Sequence, residues 1–304
     1  MPEKSIIIIG AGLSGLAAGC YARMNGYDAH IFEHHRKPGG VAASWKRKGF
    51  HIDGGIHFLM GHKPGQSINK LYHELGTAQV NNFLDMPTYI RFLDQATGRT
   101  ITVSRSLELF KEEVREISKT DSPYAQHLAE MARNLSRTDM MKMGLEKPPE
   151  LINIWDKIRD FWNLGSLSKY MFGKNAKPMK EYASGISDPW VAWVFENLFL
   201  PEVPVWFVGM MLGLVSTGQI GLMEGGSAGF VSPIEDRFKN LGGRIKYGST
   251  VEEILVENNT AAGIRLDSGE TYRADAVVSA ANSRRKPGLP PLNWNSRLKR
   301  GHGL

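Results

Sequence analysis

The opening stretch "SIIIIGAGLSGLAAGCYARMNGYDAHIFEHH" leaves this chain few choices of fold. Four isoleucines, then glycines, then a small-residue segment in which Leu16, Cys20 and Met24 share a helical face, then a second apolar run spell strand, turn, helix, strand. Gly26 is placed to end the helix. Gly10 permits the tight turn, Gly12 allows backbone to approach a pyrophosphate, and Gly15 lets the helix pack closely on the strand. Around Leu13 and Ser14 the helix start offers N–H groups and the positive dipole end to phosphates. Glu33 stands at the end of the second strand, 18 residues after Gly15, where a carboxylate accepts both hydroxyls of an adenosine ribose. It disfavours a ribose 2′-phosphate, although Arg36 and Lys37 would soften the repulsion. The unit reads as an adenine-dinucleotide site on a Rossmann-like α/β domain with a parallel sheet.

The next segment separates the dinucleotides. In "RKPGGVAASWKRKGFHIDGGIHFLMG", Gly39-Gly40 and Gly54-Gly55 bring backbone close to a ligand a second and a third time, as if it ran on past its pyrophosphate. With Gly49, Phe50, Asp53 and Gly55 in a "GF-x-x-D-x-G" pattern, the chain resembles the flavin-dependent amine oxidase and phytoene desaturase superfamily. The resemblance returns in "EGGSAGFVSPIEDRFKNLGGRIKYGSTVEEILVENNTAAGIRLDSGETYRADAVVSAAN". This stretch reads as a glycine-led helix ending at Gly242-Gly243, a strand, a hairpin turning at "DSG" and a final strand. The resemblance implies FAD as cofactor and an α+β substrate domain inserted into the FAD-binding domain. It implies cofactor contacts at Gly10, Gly12, Leu13, Ser14, Gly15, Glu33, Arg36, Gly39, Gly40, Ser44, Gly55, His57, Val251 and Ala280. Val251, in "T-V-x-x-I", resembles the residue whose backbone pairs with adenine, and "VVSAAN" the strand end beside the cofactor. Amine oxidases often carry Arg directly after the glycine pair, where this chain has Val41, so Arg36 or Lys46 would have to supply that charge. The phytoene desaturase, carotenoid isomerase and retinol saturase branch is the closer match.

The expected boundaries are 1–66 and 224–282 for the two parts of the FAD-binding domain, 67–223 for the substrate or cap domain, and 283–304 for a basic, disordered tail. The middle lacks the dinucleotide pattern. "TYIRFLDQATGRTITV" looks like a hairpin turning near Thr97-Gly98, followed by helices through "SLELFKEEVREISK" and "SPYAQHLAEMARNLSR". Trp155, Trp162, Trp190, Trp193 and Trp206 cluster with Phe195, Phe199 and Phe207; such density is more often plain core, and any part lining a cavity would favour an apolar, extended substrate. "VPVWFVGMMLGLV" is shorter than the roughly 18–20 residues that cross a bilayer. A buried helix is the simpler reading, and a membrane-dipping surface the alternative.

The net charge of +6 would suggest a nucleic-acid partner, but it originates in the six Lys and Arg residues of 283–304, without which basic and acidic residues balance, so none is expected. One cysteine and no leader ahead of the first strand point to a cytoplasmic location, with peripheral membrane contact as the variant. Seven of the nine histidines lie between His30 and His73, yet none has HExxH spacing, so no metal is expected. For His57 a structural hydrogen bond is the simpler alternative to a place beside the flavin. "GGSAG" at Gly225–Gly229 fits the G-x-S-x-G nucleophile elbow of hydrolases, but that fold needs a buried strand before the serine and a later Asp and His. "GQIGLMEG" precedes it and the only later histidine is His302, so Ser227 is set aside.

The function implied is a hydride transfer between flavin and an apolar polyene or isoprenoid, as in desaturases, saturases and isomerases, with an unidentified electron acceptor or donor and no assigned catalytic residue. In the family the chain continues past "VVSAAN" to a glycine-rich "G-D" segment, and "SRRKPGLPPLNWNSRLKRGHGL" has no such feature. The sequence therefore reads as truncated, with impaired activity. An inactive, flavin-poor fragment is the first alternative, an FAD-dependent amine oxidase the second.

Overall fold

The structure is a computed structural model and describes residues 4–78, 82–137, 152–156, 158 and 168–281. Trp162 and the tail 283–304 lie outside the described residues. Packing divides the chain into two units, one of 1–57, 72–82 and 223–304, the other of 58–71 and 83–222.

The first unit is built on β1 (Ser5–Ile9), α1 (Leu13–Met24) and β2 (Asp28–Phe32), the strand-helix-strand order of the opening stretch. β1 and β2 are parallel, with Ile8 opposite Ile31. Two strands from the far end of the sequence complete the sheet in the order β10-β2-β1-β14, where β10 is Arg244–Lys246 and β14 is Ala276–Ser279. All three pairings are parallel. Ile8, Leu16, Cys20 and Ile31 are fully buried, which explains the apolar strands and the small residues of the helix. Burial pushes the Cys20 thiol up to about 11, so it is an inert packing group. Met24, at the far end of the same face, is 37% exposed.

β3 (Ser44–Arg47) and β4 (Phe50–Asp53) form a separate hairpin. The late region holds α9 (Gly226–Asn240) and a three-stranded antiparallel sheet of β11 (Val251–Glu257), β12 (Thr260–Leu266) and β13 (Thr271–Arg273). The sequence reading expects one hairpin, at "DSG". A second turn at Asn258-Asn259, both at positive φ, makes a meander instead, because asparagine tolerates the left-handed region that a two-residue hairpin loop demands. Residues 72–82, which the sequence reading places in the middle segment, pack in the first unit. Tyr72 meets Phe230 edge-on and Thr77 donates to the Phe230 carbonyl at 3.2 Å.

The second unit begins with β5 (Leu59–Met60) and the greater part of α2 (Ser67–Glu74). β6 (Phe83–Asp85) joins β5 and β9 (Ile220–Met223) in a small sheet, and β7 (Thr88–Leu93) pairs with β8 (Thr100–Ser104) across a turn containing Gly98. The helices are α3 (Leu107–Ile117), α4 (Ser122–Leu135), α5 (Ser168–Met171), α6 (Met179–Ala183), α7 (Pro189–Glu196) and α8 (Val205–Ser216). Its core joins Phe110, Val114, Leu128, Met131, Phe195 and Val208. The apolar run 203–215 supplies α8, which is buried along nearly all its length. Among the described residues no helix is long and apolar enough to cross a membrane. The tryptophans divide: Trp206 packs against the core, Trp190 lies under the Arg99 guanidinium, Trp193 is half exposed beside Phe92, and Trp155 is 74% exposed.

Candidate functional site

At the C-terminal end of β1 the chain turns through Gly10, at φ +100°, whose N–H donates to the Phe32 carbonyl at 2.8 Å. The N–H of Ala280, just past β14, donates to the Ile9 carbonyl at 2.9 Å, so the late strand end reaches the same corner. A Cβ on Gly15 would lie 1.9 Å from the Gly10 carbonyl oxygen; no side chain fits there. α1 starts with Gly12 at its N-cap, no side-chain cap and no acidic residue in its first turn, so its dipole end faces outward uncompensated. Ser14 is exposed there and Leu13 half-buried. Gly39 bridges Gly12 in parallel, its N–H donating to the Ala11 carbonyl at 2.9 Å, and a Cβ on Gly40 would stand 3.1 Å from the Gly12 Cα. Five glycines that the sequence places in two separate motifs thus form one main-chain surface.

Glu33 closes this surface on the β2 side. It is buried, with one carboxylate oxygen accepting from the Ala11 N–H at 2.6 Å and the other from the His35 N–H at 2.8 Å. Each oxygen keeps a further lone pair for a hydroxyl donor. The Glu33 carbonyl accepts from the Ser249 N–H at 2.8 Å, the His35 carbonyl from the Gly248 N–H at 3.1 Å, and the His34 ring bonds Thr250 Oγ1 at 2.8 Å. These bonds fasten the end of β2 to the start of β11, bringing buried Val251 beside Glu33. Arg36 is exposed without a carboxylate partner among the described residues; Ser44 is half-buried, and its carbonyl accepts from Lys37 Nζ at 2.5 Å.

A second constellation joins Asp53 to Ser227. One Asp53 oxygen accepts the Ser227 N–H at 2.6 Å, the other accepts the Ser227 hydroxyl, and Ser227 Oγ accepts the Ile56 N–H at 2.8 Å. α9 has Gly225 at its N-cap and no local side chain to cap it, so Asp53 supplies the cap from the other end of the sequence. A Cβ on Gly226 would lie 2.0 Å from that carboxylate, which accounts for the glycine. Burial pushes the Asp53 carboxyl up, but the bonds from Ser227, Gly55 and Ile56 outweigh it and hold the group below its ordinary range. The sequence reading misses this pair because it weighs Ser227 only as a nucleophile. The preceding "GQIGLMEG", weighed against an elbow, does supply a strand, β9. What removes Ser227 from hydrolysis is its hydroxyl, fully buried and committed to Asp53. Gly55 lies against the Val41 carbonyl, where a Cβ would come within 2.7 Å. His57 is exposed and makes no hydrogen bond among the described residues, so the structural bond weighed for it is not there.

The arrangement presents outward N–H groups at a helix start, a buried carboxylate with spare acceptor capacity, and glycine backbone on either side. It suits a dinucleotide diphosphate and its ribose.

A family model of NAD(P)-binding Rossmann-like domains matches residues 8–75. The chain is 28% identical over 290 residues to a neurosporene-forming phytoene desaturase of Cereibacter sphaeroides, covering 91% of this chain and 52% of the relative. It is 23% identical over 290 residues to a chloroplastic prolycopene isomerase of Daucus carota, covering 92% of this chain and 46% of the relative. The chain spans about half the length of these curated relatives. Among solved structures, putrescine oxidase with putrescine bound superposes with a TM-score of 0.57 at 17% identity, over 92% of this chain and 58% of that one, a likeness of fold. The chain has a mixed α/β, Rossmann-like fold, and in sequence it resembles a phytoene desaturase and a prolycopene isomerase.

Proposed function

Taking its resemblance to carotenoid desaturases and isomerases as premise, we propose that this chain belongs to an FAD-dependent oxidoreductase acting on an apolar polyene or isoprenoid. The observation that carries the reading is the convergence of Gly12 and Glu33 of the opening unit with Gly39 and the distant Val251 on one corner of the first unit. Glu33 would hold the adenosine ribose hydroxyls. The first-turn N–H groups of Leu13 and Ser14 would face the pyrophosphate together with Gly10, Gly12 and Gly15. Val251 would present backbone to the adenine. Gly39, Gly40, Ser44, Gly55, His57 and Ala280 would line the path towards the flavin ring, with Arg36 at its outer edge. Bound FAD supplies hydride exchange with an unactivated C–H bond; the chain's own groups bind and orient it. No side chain is assigned a proton-transfer role. The electron partner is a donor or acceptor of unassigned identity. A cytoplasmic enzyme in contact with a membrane surface suits a substrate of this kind, since such a molecule resides in lipid.

The test is anaerobic mixing of the FAD-loaded chain with phytoene or prolycopene in one series and putrescine in another, read by the visible flavin band. Bleaching with the polyenes alone is expected, or, where the flavin is reduced with dithionite beforehand, its reoxidation by the polyenes alone. A response to the amine alone would overturn the substrate class, and silence in both series would overturn the activity for this chain.

A further inference from the structure

His30 stands on an interior strand of the parallel sheet, on the face turned towards the β11-β12-β13 meander. The pairing sets Arg244, His30, Ile7 and Val277 side by side on that face across the four strands. One row further on the two layers close: Phe32 and Ile9 are core, the ring centres of Phe32 and Tyr272 lie 4.6 Å apart, and Lys246 Nζ donates to the Tyr272 hydroxyl at 2.6 Å. At His30 they stay open. A cavity of about 200 Å³ lies there, with Ser5, Asp28, His30, Arg244, Tyr272 and Arg273 in its lining. His30 is half-buried, its ring edge-on to Tyr272 at 6.0 Å, and it makes no hydrogen bond among the described residues. An apolar side chain would fill this place between Ile7 and Phe32 at less cost than an imidazole with neither nitrogen bonded. Burial first, then the Arg244 and Lys246 charges, outweigh Asp28 and push the imidazole down to about 4. At neutral pH it is therefore uncharged, with one ring nitrogen a donor and the other an acceptor.

This cavity is distinct from the dinucleotide corner. Gly10, Glu33 and Ala280 follow the C-terminal ends of β1, β2 and β14, whereas Ser5, Asp28 and Arg244 begin β1, β2 and β10, so the two places lie at opposite ends of one sheet. The lining comes from the first unit alone and from both of its layers. Its volume falls below the roughly 300–1,000 Å³ of sites for drug-sized ligands, which excludes a nucleotide or a polyene. His30 and Tyr272 supply flat walls. Arg244 gives one nitrogen to Asp28 at 2.6 Å and Arg273 gives one to Glu257; among the described residues their other guanidinium nitrogens make no hydrogen bond. Flat walls, an unbonded imidazole and two guanidinium groups with free donors together suit a small ligand that is planar and anionic. We propose that the cavity binds a monocyclic aromatic carboxylate, its ring against His30 and Tyr272 and its carboxylate turned to Arg244 and Arg273. The site is independent of the flavin reading, and neither stands or falls with the other.

The experiment is a histidine-resolved NMR titration of the full chain with sodium benzoate, and with acetate and inorganic phosphate as anions that lack the ring. The His30 signal is identified by its absence from His30→Phe. Benzoate should move that signal saturably, with half-saturation on the order of 1 mM, while acetate and phosphate at the same concentration leave it in place. With benzoate bound, the pH midpoint of His30 should rise from about 4 towards about 5, because an anion beside the ring favours its charged form. Arg244→Gln should weaken benzoate binding about tenfold. Arg244 is exposed, so this variant should unfold at the wild-type temperature. Neither FAD nor ADP should displace benzoate. No movement of His30 by benzoate, equal movement by acetate or phosphate, an Arg244→Gln variant that binds like wild type, or displacement by ADP would overturn the assignment.

Discussion

Two glycines mark how differently the units are built. Gly15 in the first unit faces the Gly10 carbonyl oxygen, which an added Cβ would meet at 1.9 Å. Gly209 in the second faces the Met131 sulfur, which an added Cβ would meet at 2.3 Å. The first neighbour is backbone fixed in a turn; the second is a buried but unbranched thioether side chain, whose Cγ would also lie 2.7 Å away. The first unit's site is therefore main chain set against main chain, with no room for a Cβ at Gly15 and little at Gly40. The second unit is side chain against side chain, as in Phe110, Met131 and Phe195, and tolerates exchange at similar volume.

The largest expected effect is at Gly15→Ala, which should cost about 3 kcal/mol by denaturant unfolding and abolish dinucleotide uptake. A variant that unfolds like wild type would break the comparison. Next is the second unit's own rigid point, Asp121, buried at the start of α4, with its carboxylate accepting from the Ser118 hydroxyl at 2.6 Å and from the N–H groups of Ser187 and Asp188 at 2.8 and 3.0 Å. Asp121→Ala should cost about 2 kcal/mol, because two part-buried backbone donors and the Ser118 hydroxyl lose their acceptor. Burial raises the Asp121 carboxyl, but its three donors outweigh that and keep it below its usual range. With the folded value depressed, the stabilisation is present above the unfolded value of about 3.9 and is lost as pH falls through the folded one. Urea midpoints of Asp121→Asn should therefore fall less steeply below about pH 4 than those of wild type. Asp53→Ala removes the distant cap of α9 and should cost about 1 kcal/mol, visible as earlier hydrogen exchange in the first turn of that helix. Gly209→Ala sharpens the contrast with Gly15: an added Cβ would meet side-chain atoms of buried Met131, the sulfur at 2.3 Å and Cγ at 2.7 Å, which can shift only partly, so with the gain in helix propensity the change should cost about 1 kcal/mol, well below Gly15→Ala.

This division also explains what the sequence makes legible. The β1-α1-β2 unit can be read because each glycine answers a local backbone demand and Glu33 comes at a fixed strand length. The bond from Asp53 to Ser227 cannot, since it spans 174 residues and neither end has a local pattern that names the other. The Asn258-Asn259 turn carries a signal in the asparagine pair, but it is masked by the stronger "DSG" a few residues on. The assignment of 72–82 to the first unit depends on Tyr72 packing against Phe230, a contact of side-chain shape that periodicity does not encode. In the middle, helices α3 and α4 can be read from their apolar spacing. Which tryptophans are core and which are exposed cannot, because Trp193 and Trp206 sit in equally apolar surroundings in the sequence.

The central claim is that the main-chain corner around Gly12, Glu33 and Val251 binds the adenosine diphosphate half of FAD. Titration calorimetry of the purified chain with FAD and with ADP tests it most directly, with Glu33→Gln as the comparison. The account predicts that both ligands bind, compete for one site, and lose about tenfold or more in affinity in the variant, whose amide replaces the charged acceptor. Binding that ignores Glu33→Gln, or no binding of either ligand, would contradict it.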